Sequence, residues 1–234
     1  MTGVFFSLKK HIMELLMGCF LLVCFYYLSR EAAVVTVEMN QKKVIVVDCG
    51  HGGSDPGMIG IDGLKEKDFN LAIGLKVKES LEKRDFQVVM TRDTDTGLYE
   101  EASNNKKAQD MQKRILLIQE VKPVLTVSIH QNSYEDSRVK GPQVFYYRDS
   151  PQGEKLAKIL QEKLNEYLQV ERPREAKGNT TYYLLRRSPG VLNIVECGFL
   201  TNPEEATMLS HEEYQQKVAE AVADGVVQYM NGMK

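Results

Sequence analysis

Two histidines and two glutamates of this chain, His51, Glu66, His130 and Glu196, stand where an ordinary core has little use for them. His51 lies three residues beyond one apolar run, His130 closes a second and Glu196 closes a third, while Glu66 opens a helical stretch after a glycine-rich loop. Taken singly, each has a plain structural role. A histidine at a strand end is usually just hydrogen-bonded, a glutamate in a first helical turn is favoured by the macrodipole, and Glu196 could pair with an arginine. Taken together they have a chemistry. Two imidazoles and one carboxylate around an open fourth position are the ligand set of hydrolytic zinc sites, where the metal brings the pKa of bound water to roughly 7. A second carboxylate, free of the metal, can take the water's proton and pass it to a leaving amine. The spacing is not of the His-x-x-x-His type and leaves both glutamates eligible for either role. Glycines beside His51 allow close backbone approach, and Asp48, Asp55 and Asn132 stand near enough in sequence to orient the ligands. His11 and His211 have no such context. Arg114, inside a helical stretch, is open to two readings, a substrate contact or the commoner structural ion-pair partner, and is left out of the site.

For these residues to meet, the elements that carry them must converge. Val44-Ile45-Val46-Val47-Asp48 is a nearly continuous apolar run, the pattern of a strand buried on both faces. Further strands are expected at 86–91, 124–130, 143–147 and 191–196. Between them, Phe69, Ile73, Val77 and Leu81 recur every four residues and mark a helix from Glu66 to about Lys83. Helical stretches follow over about 108–120, 153–168 and 212–230, with a polar loop over 92–107 and a turn-like Asn179-Thr180-Thr181 ahead of two tyrosines. This alternation predicts an α/β fold with a mostly parallel twisted sheet of about six strands and helices on both faces. Open sheets of this kind place their sites beyond the carboxyl ends of the strands, where the histidines and Glu196 stand.

The 234 residues carry 30 Lys+Arg against 32 Asp+Glu, a net charge of −2. With no basic stripe and no aromatic–arginine cluster, nucleic acid is not an expected partner. The N-terminus reads differently from the rest. Lys9, Lys10 and His11 precede an apolar run over 12–28, interrupted only by Glu14, which is the pattern of an export signal. Arg30 and Glu31 suit cleavage after Ala32 or Ala33 poorly, so an uncleaved membrane anchor is expected over 1–42, with residues 43–234 exported as the folded domain on the outer face. Leu16-Met17-Gly18-Cys19 only faintly follows a lipobox, and Cys19 is read as a plain anchor residue. Of four cysteines, Cys49 and Cys197 fall in the folded part; a bridge between them is one reading, and small core residues the favoured one.

Four ordered motifs resemble the zinc-dependent N-acetylmuramoyl-L-alanine amidases of the Amidase_3 family: 47–57 around Cys49-Gly50-His51-Gly52-Gly53, 63–72 around Glu66, 128–133 around His130, and 195–204 around Glu196-Cys197-Gly198-Phe199. Thr91-Arg92-Asp93 and Arg114 also fall where that family has them. The resemblance spans about residues 43–232. It implies that His51, Glu66 and His130 hold Zn2+, that Glu196 is the general base, and that the substrate is the lactyl–L-alanine amide of peptidoglycan. Cys49, often alanine in that family, and Gln131-Asn132-Ser133, in place of the commoner Ala-Asn-Ala, are small departures. The single anchor and short catalytic domain look like the CwlD-type spore-cortex amidases, which act early toward muramic-δ-lactam in the cell wall or forespore intermembrane space. An activating protein partner is left unidentified. Rival readings are a zinc peptidase cutting the stem peptide, an amidase-like domain that binds peptidoglycan without turnover, and a metal-stabilised structural domain.

Overall fold

The computed structural model describes Met13, residues 16–30 and residues 43–232, within two units, Met1–Lys42 and Lys43–Lys234. In the first, residues 16–30 form helix α1, about 22 Å long at 1.5 Å per residue. No helix among the described residues is long and apolar enough to cross a membrane. The basic segment at Lys9–His11, the Ala32/Ala33 position and the rest of the expected anchor lie outside the described residues.

The second unit is built on one sheet of six strands, β1 (Val44–Cys49), β2 (Gln87–Met90), β3 (Leu125–Asn132), β4 (Gln143–Tyr147), β5 (Lys177–Asn179) and β6 (Leu192–Phe199), in the order β2-β1-β3-β6-β4-β5. The neighbours from β2 to β6 run parallel, β4 is antiparallel to β6, and β5 is parallel to β4. The helices are α2 (Glu66–Glu82), α3 (Lys106–Val121), α4 (Pro151–Tyr167), α5 (Tyr183–Arg187), α6 (Pro203–Leu209) and α7 (Glu212–Asn231). The long helices and central strands fall where periodicity places them. Three short elements do not: β5, α5 and α6 are too brief to carry a repeat of either period. Two strands also run further than their apolar residues. β3 continues to Asn132 and β6 to Phe199, so His130 and Glu196 sit inside strands rather than closing them. Pairing with neighbours carries a strand past the point where its hydrophobic run stops.

Strand side chains alternate between faces, and here the two faces have different covers. Ile45 and Val47 of β1, Leu125, Val127 and Ile129 of β3 and Val195 and Cys197 of β6 face one core with α2, α4 and α7. Val46, Phe145, Leu192 and Ile194 face a smaller core with Ile115 and Ile118 of α3 and Leu184 and Leu185 of α5. Cys49 and Cys197 are buried and free, as expected of small core residues. The second face also receives Asp48, Ser128, His130 and Glu196, because register pairs Asp48 with Ser128 and His130 with Glu196. In register, neighbours on adjacent strands point the same way, and a slip of one residue would turn the whole set into the apolar core.

On that face Asp48 and Arg114, 1% and 2% exposed as side chains, form an ion pair at 2.6 Å. Ser128 Oγ donates to Asp48 Oδ2 at 2.5 Å and Thr91 Oγ1 to Oδ1 at 2.8 Å. Burial alone would raise the Asp48 pKa, but the Arg114 charge and the Ser128 hydrogen bond overcome it and hold the carboxyl at about 2. The stability that Asp48 supplies is therefore complete above its ordinary value of 3.8 and is lost as pH falls from there through about 2. Arg114→Ala strands the buried carboxylate and is expected to cost about 3–5 kcal/mol in urea denaturation at pH 7. Asp48→Asn should flatten the dependence of stability on pH between about 4 and 2. A fall of under ~1 kcal/mol for Arg114→Ala would show that the pair does not support the fold.

Candidate active site

His51 lies two residues past β1, where the chain is forced into an unusual turn. Its φ is 62°, a left-handed conformation that non-glycine residues adopt only under constraint. The constraint comes from two buried arginines. Arg114 donates to Cys49 O at 2.7 Å and His51 O at 2.7 Å, and Arg92 donates to Cys49 O and Gly50 O, both at 3.0 Å. Three successive carbonyls are thus fixed by guanidinium groups. Backbone bonds between Gly52 and Asp55 then close a tight turn, buttressed by the 92–99 loop: Asp95 accepts from Gly53 N and the Tyr99 hydroxyl accepts from Ser54 N at 2.6 Å. The turn returns Asp55 to the ring, and Asp55 Oδ2 lies 2.8 Å from His51 Nδ1. His51 is left with Nε2 facing Glu66.

Glu66 is the first residue of α2, where the helix dipole favours a carboxylate. It is 4% exposed and nearly saturated with partners. Oε1 lies 2.9 Å from His130 Nδ1 and accepts from Gln131 N at 3.1 Å and Asn70 Nδ2 at 3.3 Å. Oε2 accepts from Met58 N at 2.8 Å and lies 3.2 Å from His51 Nε2. Burial would raise its pKa, yet the hydrogen bonds from His130 and His51 outweigh this and hold it well below the usual carboxylate range. His130 comes up from β3 beneath Gly50, where a Cβ would collide with its ring. The two imidazoles stand nearly perpendicular at 5.1 Å between centroids.

Glu196 shares the cleft but not the partners. Among the described residues its buried Oε2 has no hydrogen-bond partner, and burial pushes its carboxyl up to about 7 despite the nearby imidazoles. The four residues line one cavity of about 750 Å3, together with Asp48, Asp55, Arg114 and Tyr182.

The structure therefore brings His51, Glu66 and His130 into one cluster whose donor atoms all lie within 4.8 Å of one another. Metal–ligand bonds of about 2.0–2.2 Å to nitrogen and oxygen need donors at such mutual distances, and the donor set of two imidazoles and a carboxylate suits zinc. The orphaned oxygen of Glu196 adds an acceptor with nothing to accept. Of the expected orienting groups, Asp55 reaches His51 directly. Asp48 acts through Arg114, and Asn132 instead accepts from the next residue's N–H. Asn70 and the backbone N–H groups of Met58 and Gln131 escaped the sequence reading. Asn70 lies four residues after Glu66 on one helix face, a spacing at which such a contact is legible; the backbone donors leave no trace in side-chain types.

An α/β sheet with an imidazole–carboxylate–imidazole cluster that could hold a metal ion, and a second glutamate beside it outside the cluster, has the arrangement of a hydrolase centre. The N-acetylmuramoyl-L-alanine amidase family model, Amidase_3, matches residues 45–228. The germination-specific N-acetylmuramoyl-L-alanine amidase of Bacillus subtilis is 38% identical over 192 residues, covering 80% of this chain and 79% of that protein. Among solved structures, the CwlD amidase of Clostridioides difficile, in complex with the GerS lipoprotein, aligns with TM-score 0.79 at 36% identity over 82% of this chain and 100% of that one. The amidase AmiC2 of Nostoc punctiforme aligns with TM-score 0.72 at 33% identity, over 82% and 98%. The chain belongs to the Amidase_3 family of N-acetylmuramoyl-L-alanine amidases.

In the metal-free protein, burial lowers the His51 pKa, but the hydrogen bonds to Asp55 and Glu66 more than reverse this and raise it to about 9. A ring whose pKa is so raised would have to give up a proton to a metal ion at neutral pH. Zinc affinity is therefore expected to rise about tenfold per pH unit between 7 and 9. Calorimetry in buffers of different ionisation enthalpy should count about one proton released; affinity independent of pH would show that His51 is neutral before the metal arrives.

Proposed function

We propose that this amidase is zinc-dependent, with His51, Glu66 and His130 as ligands and Glu196 as general base. In this reading it hydrolyses the amide between the lactyl group of N-acetylmuramic acid and L-alanine in peptidoglycan. The observation that carries the proposal is the cluster of three donors within 4.8 Å beside a glutamate whose buried Oε2 has no hydrogen-bond partner among the described residues. When bound, zinc supplies Lewis acidity that polarises the amide carbonyl and lowers the pKa of water to roughly 7. The rest falls to the chain. Asp55 fixes the His51 ring, and Glu66 is fixed by Asn70, Met58 N and Gln131 N. Glu196, with its carboxyl near 7, accepts a proton from the attacking water and returns it to the alanine nitrogen as the C–N bond breaks.

The finer assignment is to spore-cortex maturation, toward muramic-δ-lactam and germination. The germination-specific relative and the CwlD likeness support it. Residues 1–42 act as signal-anchor and linker, and 43–234 as the exported catalytic domain on the outer face; the basic and apolar residues of the N-terminus support this. The lipoprotein bound to the CwlD amidase supports a protein partner for this chain as well.

Glu196→Gln should lower turnover of purified peptidoglycan by at least about 10²-fold, the scale of a lost general base, while zinc content by mass spectrometry stays at the wild-type level. Glu66→Ala should lose both. Product masses should show free lactyl groups and peptides with L-alanine at the amino terminus, and cleavage within the stem peptide would assign the metal to a peptidase. An active Glu196→Gln enzyme would remove Glu196 from the chemistry.

A further inference from the structure

One group in the cleft has no task in this scheme. Tyr182 caps the short helix α5 and is held from both sides. Asn179 Oδ1 accepts from Thr181 N at 2.7 Å, Thr181 Oγ1 at 3.2 Å and Tyr182 N at 2.8 Å, which fixes the turn. The Tyr182 ring packs edge-to-face on Phe145, 5.3 Å between centroids at 70°, so its aim is set by the sheet beneath it. At 36% exposed it reaches solvent, and it lines the cavity that holds His51, Glu66, His130 and Glu196. Among the described residues its hydroxyl makes no hydrogen bond, which leaves it free for a group entering the cleft.

The geometry points to Tyr182 as a further catalytic residue, whose hydroxyl donates a hydrogen bond to the amide carbonyl oxygen of the substrate as negative charge builds on it. This rests on the amidase reading above. The phenol is suited to donate without giving up its proton: burial raises its pKa, and the charges of Glu196 and Glu66 raise it further. Those charges reach the hydroxyl, yet neither carboxylate bonds it, so the proton remains available to a substrate atom entering the cleft. No bond to hydrogen breaks. The hydrogen bond strengthens as the carbonyl becomes tetrahedral and weakens when the C–N bond cleaves and the new carboxylate forms. A fixed donor that meets charge only in the transition state raises kcat more than it lowers KM. Neighbouring Tyr183 lines the same cavity but is more exposed, at 46%, and the Arg187 guanidinium lies 5.8 Å from its ring centre; Tyr182, whose ring packs on Phe145, is the better fixed of the two.

The test compares the zinc-loaded full chain with its Tyr182→Phe and Tyr182→Leu variants on a purified muramoyl-tripeptide, recording kcat, KM, zinc content and melting temperature. Tyr182→Phe keeps the ring and its contact with Phe145 and loses only the hydroxyl. It is expected to lower kcat roughly 10²-fold, the scale of a lost oxyanion donor, with KM, zinc content and melting temperature unchanged, and Tyr182→Leu should match it in kcat. Wild-type kcat in Tyr182→Phe overturns the assignment. So does a defect confined to Tyr182→Leu and expressed in KM, which would make the ring a platform for the sugar. Loss of zinc in Tyr182→Phe also overturns it, since the hydroxyl would then serve the metal site. A wild-type chain that binds zinc but leaves the muramoyl amide intact overturns the amidase reading itself.

Discussion

The structure depends on two buried guanidinium groups holding three consecutive carbonyl oxygens. The segment 49–51 leaves a parallel strand and must turn at once, presenting a histidine in a left-handed conformation that costs on the order of 1–3 kcal/mol. Arg114 and Arg92 take up Cys49 O, Gly50 O and His51 O, carbonyls beyond the reach of the sheet's own ladder, with Asn70 Nδ2 as a further donor to Gly50 O. The price of burying Arg114 is met by Asp48 and Asp110, each 2.6 Å away, and Asp48 in turn is held by Ser128 of the next strand. The turn that aims His51 is therefore coupled to the register of β1 against β3, and the same sheet's register places His130 beside Glu196.

This coupling explains why the open face of the sheet is polar. Its other face is covered by three long helices around an apolar cluster. On the side of α3 and α5, the apolar cluster covers only the amino-terminal part of the central strands, and the room left toward their carboxyl ends becomes the cleft. A chain with longer helices there would bury the site; one with none would expose β1 and β3 to water.

Much of this is legible in the sequence, and the boundary is physical. The doubly buried run 44–48 and the four-residue steps of α2 identify the sheet and its helices, because long periodic segments carry their own signal. His51, His130 and Glu196 stand out because they interrupt that signal. Arg114 reads correctly as an ion-pair partner, but its hold on the His51 carbonyl does not, since a side chain's bonds to the backbone leave no mark on neighbouring residue types. Tyr182 is invisible for a related reason: its position depends on an Asn-centred turn and on Phe145, a β4 residue distant in sequence. The continuation of β3 and β6 past their apolar runs belongs here too, being a property of strand pairing and not of either strand.

The spacing of the two glutamates leaves their roles interchangeable, and their surroundings separate them. Glu66 stands at a helix amino terminus among two imidazoles, one amide and two backbone N–H groups, and is held ionised. A carboxylate so fixed and so strongly charged is suited to a cation and poorly suited to accept a proton. Glu196 stands on a strand with one oxygen unbonded, and burial raises it to about 7, where gaining and losing a proton cost nearly the same at neutral pH. Two identical side chains within one cavity are thus driven in opposite directions, one by hydrogen bonds to its charged form and the other by the lack of them. That divergence supports giving the metal to Glu66 and the proton to Glu196 on physical grounds independent of any likeness to a family.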